Sequence, residues 1–128
     1  MSVVFERLSE GNTVTLKLRG RMSHGGGIPE FQEAVREILS RSFSGCFLVL
    51  DLSGMSRMDS SAIGAIVAQS IEVEKKNGEL CLCDLTDRSK EYFRMTRLEN
   101  TFRIFANRNE AVQSLKSQIP HRKWTLVA

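Results

Sequence analysis

Two short segments hold the side chains with the most chemical potential. Met58-Asp59-Ser60-Ser61 places a carboxylate and two hydroxyls directly before the apolar run Ala62-Ile63-Gly64-Ala65-Ile66. Asp and Ser at such a junction satisfy N–H groups that a helix leaves free at its start, so Asp59 or Ser60 is read as an N-cap. His24-Gly25-Gly26-Gly27 could offer backbone N–H groups to an oxyanion, as in a lipase or esterase. That chemistry needs a serine in a Gly-x-Ser-x-Gly elbow, and the chain has none, so the segment reads as a flexible loop. The other histidine, His121, lies beside Arg122 and Lys123, far along the chain from any carboxylate pattern. Cys46, Cys81 and Cys83 show neither a Cys-x-x-Cys turn nor neighbouring histidines, so they read as small buried apolar groups. Walker, Gly-x-Gly-x-x-Gly and metal-ligand spacings are absent from the sequence. No nucleophile, base and orienting group come together, so the expectation is no enzyme, no catalytic residue, no metal and no cofactor.

The elements that position these residues follow from periodicity. Val3 to Leu8 and Thr13 to Arg19 read as strands joined by Glu10-Gly11-Asn12. In the second, Val14, Leu16 and Leu18 alternate with Thr15, Lys17 and Arg19. A loop follows from Gly20 to Gly27. Pro29 then opens a helix running to about Ser42, with Phe31, Ala34, Val35, Ile38 and Leu39 on one face. Cys46 to Leu50 is a strand covered on both faces, followed by a short loop. The helix after Asp59 carries Ile63, Ile66, Val67, Ser70 and Ile71 on one face and ends at Asn77-Gly78. Leu80 to Leu85 is a strand, and Thr86 or Asp87 caps a short helix with Tyr92, Phe93, Met95 and Leu98. Phe102 to Phe105 is a last strand, and Asn107 or Asn109 starts a last helix with Ala111, Val112 and Leu115. The order β-β-α-β-α-β-α-β-α implies an α/β fold: a small, mixed, mainly parallel sheet flanked by helices.

With 128 residues, the chain fits one domain over 1–119 and a tail over 120–128, in which Trp124 either anchors to the body or hangs loose. Lys and Arg exceed Asp and Glu by 18 − 15 = 3, too small a surplus to imply nucleic-acid binding. The longest uncharged central stretch, Ser60 to Ile71, is too short to span a bilayer, so no membrane insertion is expected. The N-terminus shows no secretory pattern, and three cysteines cannot all pair, which places reduced thiols in a cytoplasm.

This element order, together with Leu50-Asp51-Leu52-Ser53-Gly54-Met55-Ser56-Arg57-Met58-Asp59-Ser60-Ser61-Ala62-Ile63-Gly64, resembles the STAS domain of bacterial anti-sigma factor antagonists. Asn77-Gly78-Glu79-Leu80 is similar to that family's glycine turn and next strand, and the resemblance spans residues 3–117. It implies a protein that binds an anti-sigma factor, itself a serine kinase, and thereby releases a sigma factor. It implies phosphorylation by that kinase at the serine after the Asp, here Ser60 with Ser61 as the alternative, and reversal by a phosphatase. It also implies a contact surface that includes Asp59, Ser60, Ser61, Ser23, His24, Met58 and Ile63. Three positions depart from the family pattern. Ala62 replaces a glycine after the serine pair, Arg21 and Ser23 stand where acidic residues are usual, and Arg97 replaces a glycine at the end of the short helix. The remaining alternatives are a constitutive STAS scaffold, or a subunit of a signalling or membrane-transport complex, that is never phosphorylated.

Overall fold

A computed structural model describes residues 3–41 and 45–118. The tail expected over 120–128, with Trp124 and His121, lies outside the described residues. Nine elements follow the expected order: β1 (Val3–Glu10), β2 (Thr13–Met22), α1 (Ile28–Ser40), β3 (Phe47–Met58), α2 (Ser60–Lys75), β4 (Glu79–Cys83), α3 (Asp87–Met95), β5 (Ile104–Phe105) and α4 (Arg108–Leu115). The strands lie side by side in sequence order. β1 runs antiparallel to β2, and every later neighbour is parallel, so the sheet is mixed and mainly parallel. Gly11, at φ +60°, makes the tight hairpin turn between β1 and β2.

The period-two faces of the strands divide the core in two. Leu16 and Leu18 of β2, Leu48, Leu50 and Leu52 of β3, and Leu80 and Leu82 of β4 pack with α1, α2 and Phe93 of α3. Phe47, Val49, Cys81 and Cys83 face the other way, against Ala111 and Leu115 of α4. All three cysteines are buried. Burial of so many branched side chains on both faces supplies the main favourable term of folding.

Four features differ from the reading of the sequence. First, β2 and β3 do not stop near Arg19 and Leu50 but run on as a parallel pair to Met22 and Met58. The pairing slips between Lys17 and Arg19 and again between Gly20 and Arg21. These bulges break the two-residue period, so Leu52, Met55 and Met58 are buried at steps of three. Gly54 is required there, because a Cβ at this position would lie 2.4 Å from Cγ of Arg19 and 2.8 Å from the Leu18 carbonyl. Second, Ile71 is not part of the buried face of α2 but is 36% exposed. Third, the last strand is only the pair Ile104–Phe105. Fourth, the segment after Met22 is not a flexible loop. Ser23 and Gly26 exchange backbone N–H···O bonds of 2.9 and 3.0 Å, closing a tight turn.

Helix ends follow local chemistry. Thr86 accepts from the Ser89 N–H and Asn107 from the Glu110 N–H, so the first of the two candidate caps is used in each case. At the end of α2, Asn77 is left-handed, its N–H donates to Glu74 and that of Gly78 donates to Val73. α3 ends the same way with Arg97 at φ +58°, its N–H donating to Arg94 and that of Leu98 to Phe93. A side chain is disfavoured in this conformation, whereas glycine adopts it freely. Arg97→Gly is therefore expected to stabilise the fold by about 0.5–1 kcal/mol, the relief of strain exceeding the unfolded-state entropy that glycine adds. A urea midpoint at or below that of the parent chain would show that the Arg97 side chain contributes something this geometry does not reveal.

Candidate functional site

The C-terminal ends of β2 and β3, the 23–27 turn and the first turn of α2 meet at one end of the sheet. Asp59 joins them. Its extended backbone ends β3 and starts α2, and one carboxylate oxygen accepts from the Ala62 N–H at 3.0 Å. The other oxygen accepts from the His24 backbone N–H at 2.9 Å. One side chain thus caps the helix and ties down the turn that follows β2. The His24 N–H bond, aided by those from Ala62 and Ser61 and partly offset by burial, holds the Asp59 carboxyl below its ordinary range. Asp59, not Ser60, is the cap.

Ser60 is left as the first residue of α2, exposed, with its hydroxyl in no hydrogen bond among the described residues. Ser61 is half-buried beside it. His24 is exposed and Ser23 is half-buried. The bond from the His24 N–H to Asp59 brings the turn beside Ser60 and Ser61. Met58 and Ile63, expected in the contact surface, are each only 3% exposed. They lie beneath the surface and hold it up. Met58 receives the Ser89 hydroxyl of α3 at 3.7 Å on its sulfur. Beyond Ser60, Gly64, Ala68 and Ile71 face outward as a low apolar strip with open space above Gly64, and the exposed ion pair Glu72–Lys75 follows in the last turn of α2.

A cleft of about 280 Å³ opens beside Asp59, lined by Arg21, Ser23, Gly25, Gly26, Arg57, Met58 and Tyr92. Its two arginines were not singled out in the sequence as a pair, because 36 residues separate them; only the slipped register of β2 on β3 sets them opposite each other. Within the turn, Ser23 and Gly26 bond each other, while the His24 N–H donates to Asp59 and the Gly27 N–H to Glu30. Among the described residues, no helix is long and apolar enough to cross a membrane.

Comparison with known families matches residues 7–111 to the STAS domain. Among solved structures, the chain is similar to an anti-sigma factor antagonist from Mycobacterium paratuberculosis, with TM-score 0.77, 16% identity, and coverage of 91% of this chain and 96% of that one. It is also similar to SpoIIAA of Bacillus in two forms. The unphosphorylated anti-sigma factor antagonist gives TM-score 0.73 at 18% identity over 91% and 99% of the two chains. The phosphorylated form gives TM-score 0.66 at 18% identity over 88% and 99%. The murine anion transporter Solute Carrier 26 family member A9 matches with TM-score 0.74 and 16% identity, over 87% of this chain and 19% of the transporter. At these identities the structural likeness speaks for the fold, and the family match covers most of the length. The chain belongs to the STAS domain family.

Proposed function

We propose that the chain is an anti-sigma factor antagonist: it binds an anti-sigma factor that is also a serine kinase, and phosphorylation of Ser60 switches that binding off until a phosphatase restores it. The observation that carries this reading is the placement of Ser60. A kinase must reach a serine hydroxyl from outside, and Ser60 is exposed, unbonded and presented at a fixed helix start. Ser61 is more enclosed and is the lesser candidate. The description of SpoIIAA as an antagonist solved with and without phosphate supports the same reading.

Electrostatics indicate how the switch works. A phosphate on the first residue of a helix lies at the positive end of the helix dipole, so modification should not melt α2. It adds about −1.5 to −2 charges at pH 7, taking the chain from +3 to about +1. A docking surface made of the 23–27 turn, residues 56–61 and the apolar strip of α2 becomes bulky and negative while the fold is unchanged. The chain acts by binding, without catalysis of its own and in the cytoplasm.

Affinity purification from the source organism followed by mass spectrometry tests this directly. The expected result is an anti-sigma factor among the bound proteins and a phosphate confined to Ser60 in part of the population. A second reading, as a subunit of a transport or signalling complex or a constitutive scaffold, takes its support from the transporter likeness. Native protein that never shows a phosphate and co-purifies with a permease or ATPase would favour that reading over the first.

A further inference from the structure

The charges on the open face of β2 and β3 do not balance locally. Lys17 faces Glu6 on β1 and Asp51 on β3. The next two basic residues have no such neighbours. Arg19 pairs in register with Val4 and Gly54, and Arg21 pairs with Arg57. The residues that follow, Met22 and Met58, are paired and buried, so Arg21 and Arg57 both point away from the core. Both are exposed, and neither takes part in an ion pair among the described residues. Like charges directly across a strand pair are destabilising unless something neutralises them. The cleft they line contains one carboxylate, Asp59, whose two oxygens already accept from His24 and Ala62. The cleft therefore presents two guanidinium groups against a single carboxylate, which forms no ion pair with either of them.

Ser60 directly follows Asp59, which lines this cleft, and stands three residues after Arg57, at most about 10 Å of extended chain. An arginine side chain and a phosphoserine together can bridge that span, and guanidinium groups bind phosphate oxygens in a bidentate fork. We infer that the Arg21–Arg57 pair receives the phosphate of phosphorylated Ser60, so that modification also closes the cleft beside the 23–27 turn. This inference rests on the reading of Ser60 as the phosphoacceptor. It adds that the phosphate is anchored by the chain itself at the edge of the docking surface.

The test needs no kinase. Phosphoserine is placed at position 60 of the full chain during translation, and its phosphate is titrated by phosphorus NMR. The expected result is a second phosphate pKa below that of the unfolded chain, rising by about one pH unit in the Arg21→Gln/Arg57→Gln variant. Because the two arginines repel each other, that variant should keep the Tm of the unphosphorylated parent chain, which shows that it folds. Arg19→Gln, on the same strand outside the cleft, should leave the phosphate pKa in place. A pKa unmoved by the double change, or moved as much by Arg19→Gln, would overturn the inference. Either result would leave intact the proposal that phosphorylation of Ser60 blocks partner binding, which is read by binding itself.

Discussion

Arg103→Ala is expected to lower the stability of the fold by about 3 kcal/mol, the largest effect of any single change considered. Glu79 opens β4 and is 1% exposed, so its carboxylate is out of water. Arg103 meets it with a two-point fork, Nε donating to Oε2 at 2.7 Å and Nη2 to Oε1 at 3.0 Å. The same guanidinium donates to Gln118 Oε1 at 2.7 Å and lies 5.5 Å from the ring centre of Phe47. Removing the arginine strands most of a buried charge, and the cost of that stranded charge exceeds whatever the intact pair contributes. The figure sits at the low end for buried pairs because the Arg103 side chain keeps 35% of its surface exposed. Urea unfolding should show a lower midpoint with an unchanged slope. Arg103→Lys keeps the charge but loses the fork and should fall between the two. If Arg103→Ala unfolds like the parent chain, water has replaced the fork and Glu79 is not isolated from solvent.

Asp59→Ala is expected to cost about 1–2 kcal/mol and to loosen the 23–27 turn together with the start of α2. The capping bond to Ala62 accounts for about 1 kcal/mol of this, and the bond from His24 adds the tie between turn and helix. Because the folded state holds the Asp59 carboxyl below its ordinary value, its ionised form is the one that stabilises. That stability is fully present above the unfolded value of about 3.9 and is lost as the pH falls through the lowered folded value. The stability gap between the parent chain and Asp59→Asn should therefore stay constant from neutral pH down to about pH 5 and narrow only below about pH 4. Asp59→Asn, which still caps, should lose less than Asp59→Ala at neutral pH. Amide exchange at His24 and Ala62 reports the two bonds separately. Acceleration at Ala62 alone would mean that the turn is held by its own Ser23–Gly26 bonds and not by Asp59.

These two interactions differ in how far the sequence revealed them. The junction Asp59-Ser60-Ser61 was legible as a helix start, since capping depends on residues three apart. The second partner of Asp59 was not, because His24 lies 35 residues away and donates through its backbone, which carries no side-chain signature. Glu79 read only as part of a turn leading into β4; its fork to Arg103 spans 24 residues and depends on β5 docking beside β4. The alternation of apolar runs and capped helices gave the element order, because each run is local. The extension of β2 and β3 to Met22 and Met58 was hidden, because bulges changed a period of two into a period of three. That extension brings Arg21 opposite Arg57 and carries β3 up to Asp59. The Arg21–Arg57 pair thus comes from register, while the Asp59-Ser60-Ser61 junction is written in consecutive residues.

The central claim is that the state of Ser60 decides partner binding without altering the fold. Its most direct test is a calorimetric titration of the co-purified anti-sigma factor with the unmodified chain, with Ser60→Asp and with the chain carrying phosphoserine at 60. Tm would be measured on the same samples. The account predicts tight binding by the unmodified chain, weakening by about tenfold or more in Ser60→Asp and further with phosphoserine, and Tm unchanged or raised in both. Wild-type affinity in the phosphoserine form, or a loss of binding accompanied by a collapse in Tm, would contradict it.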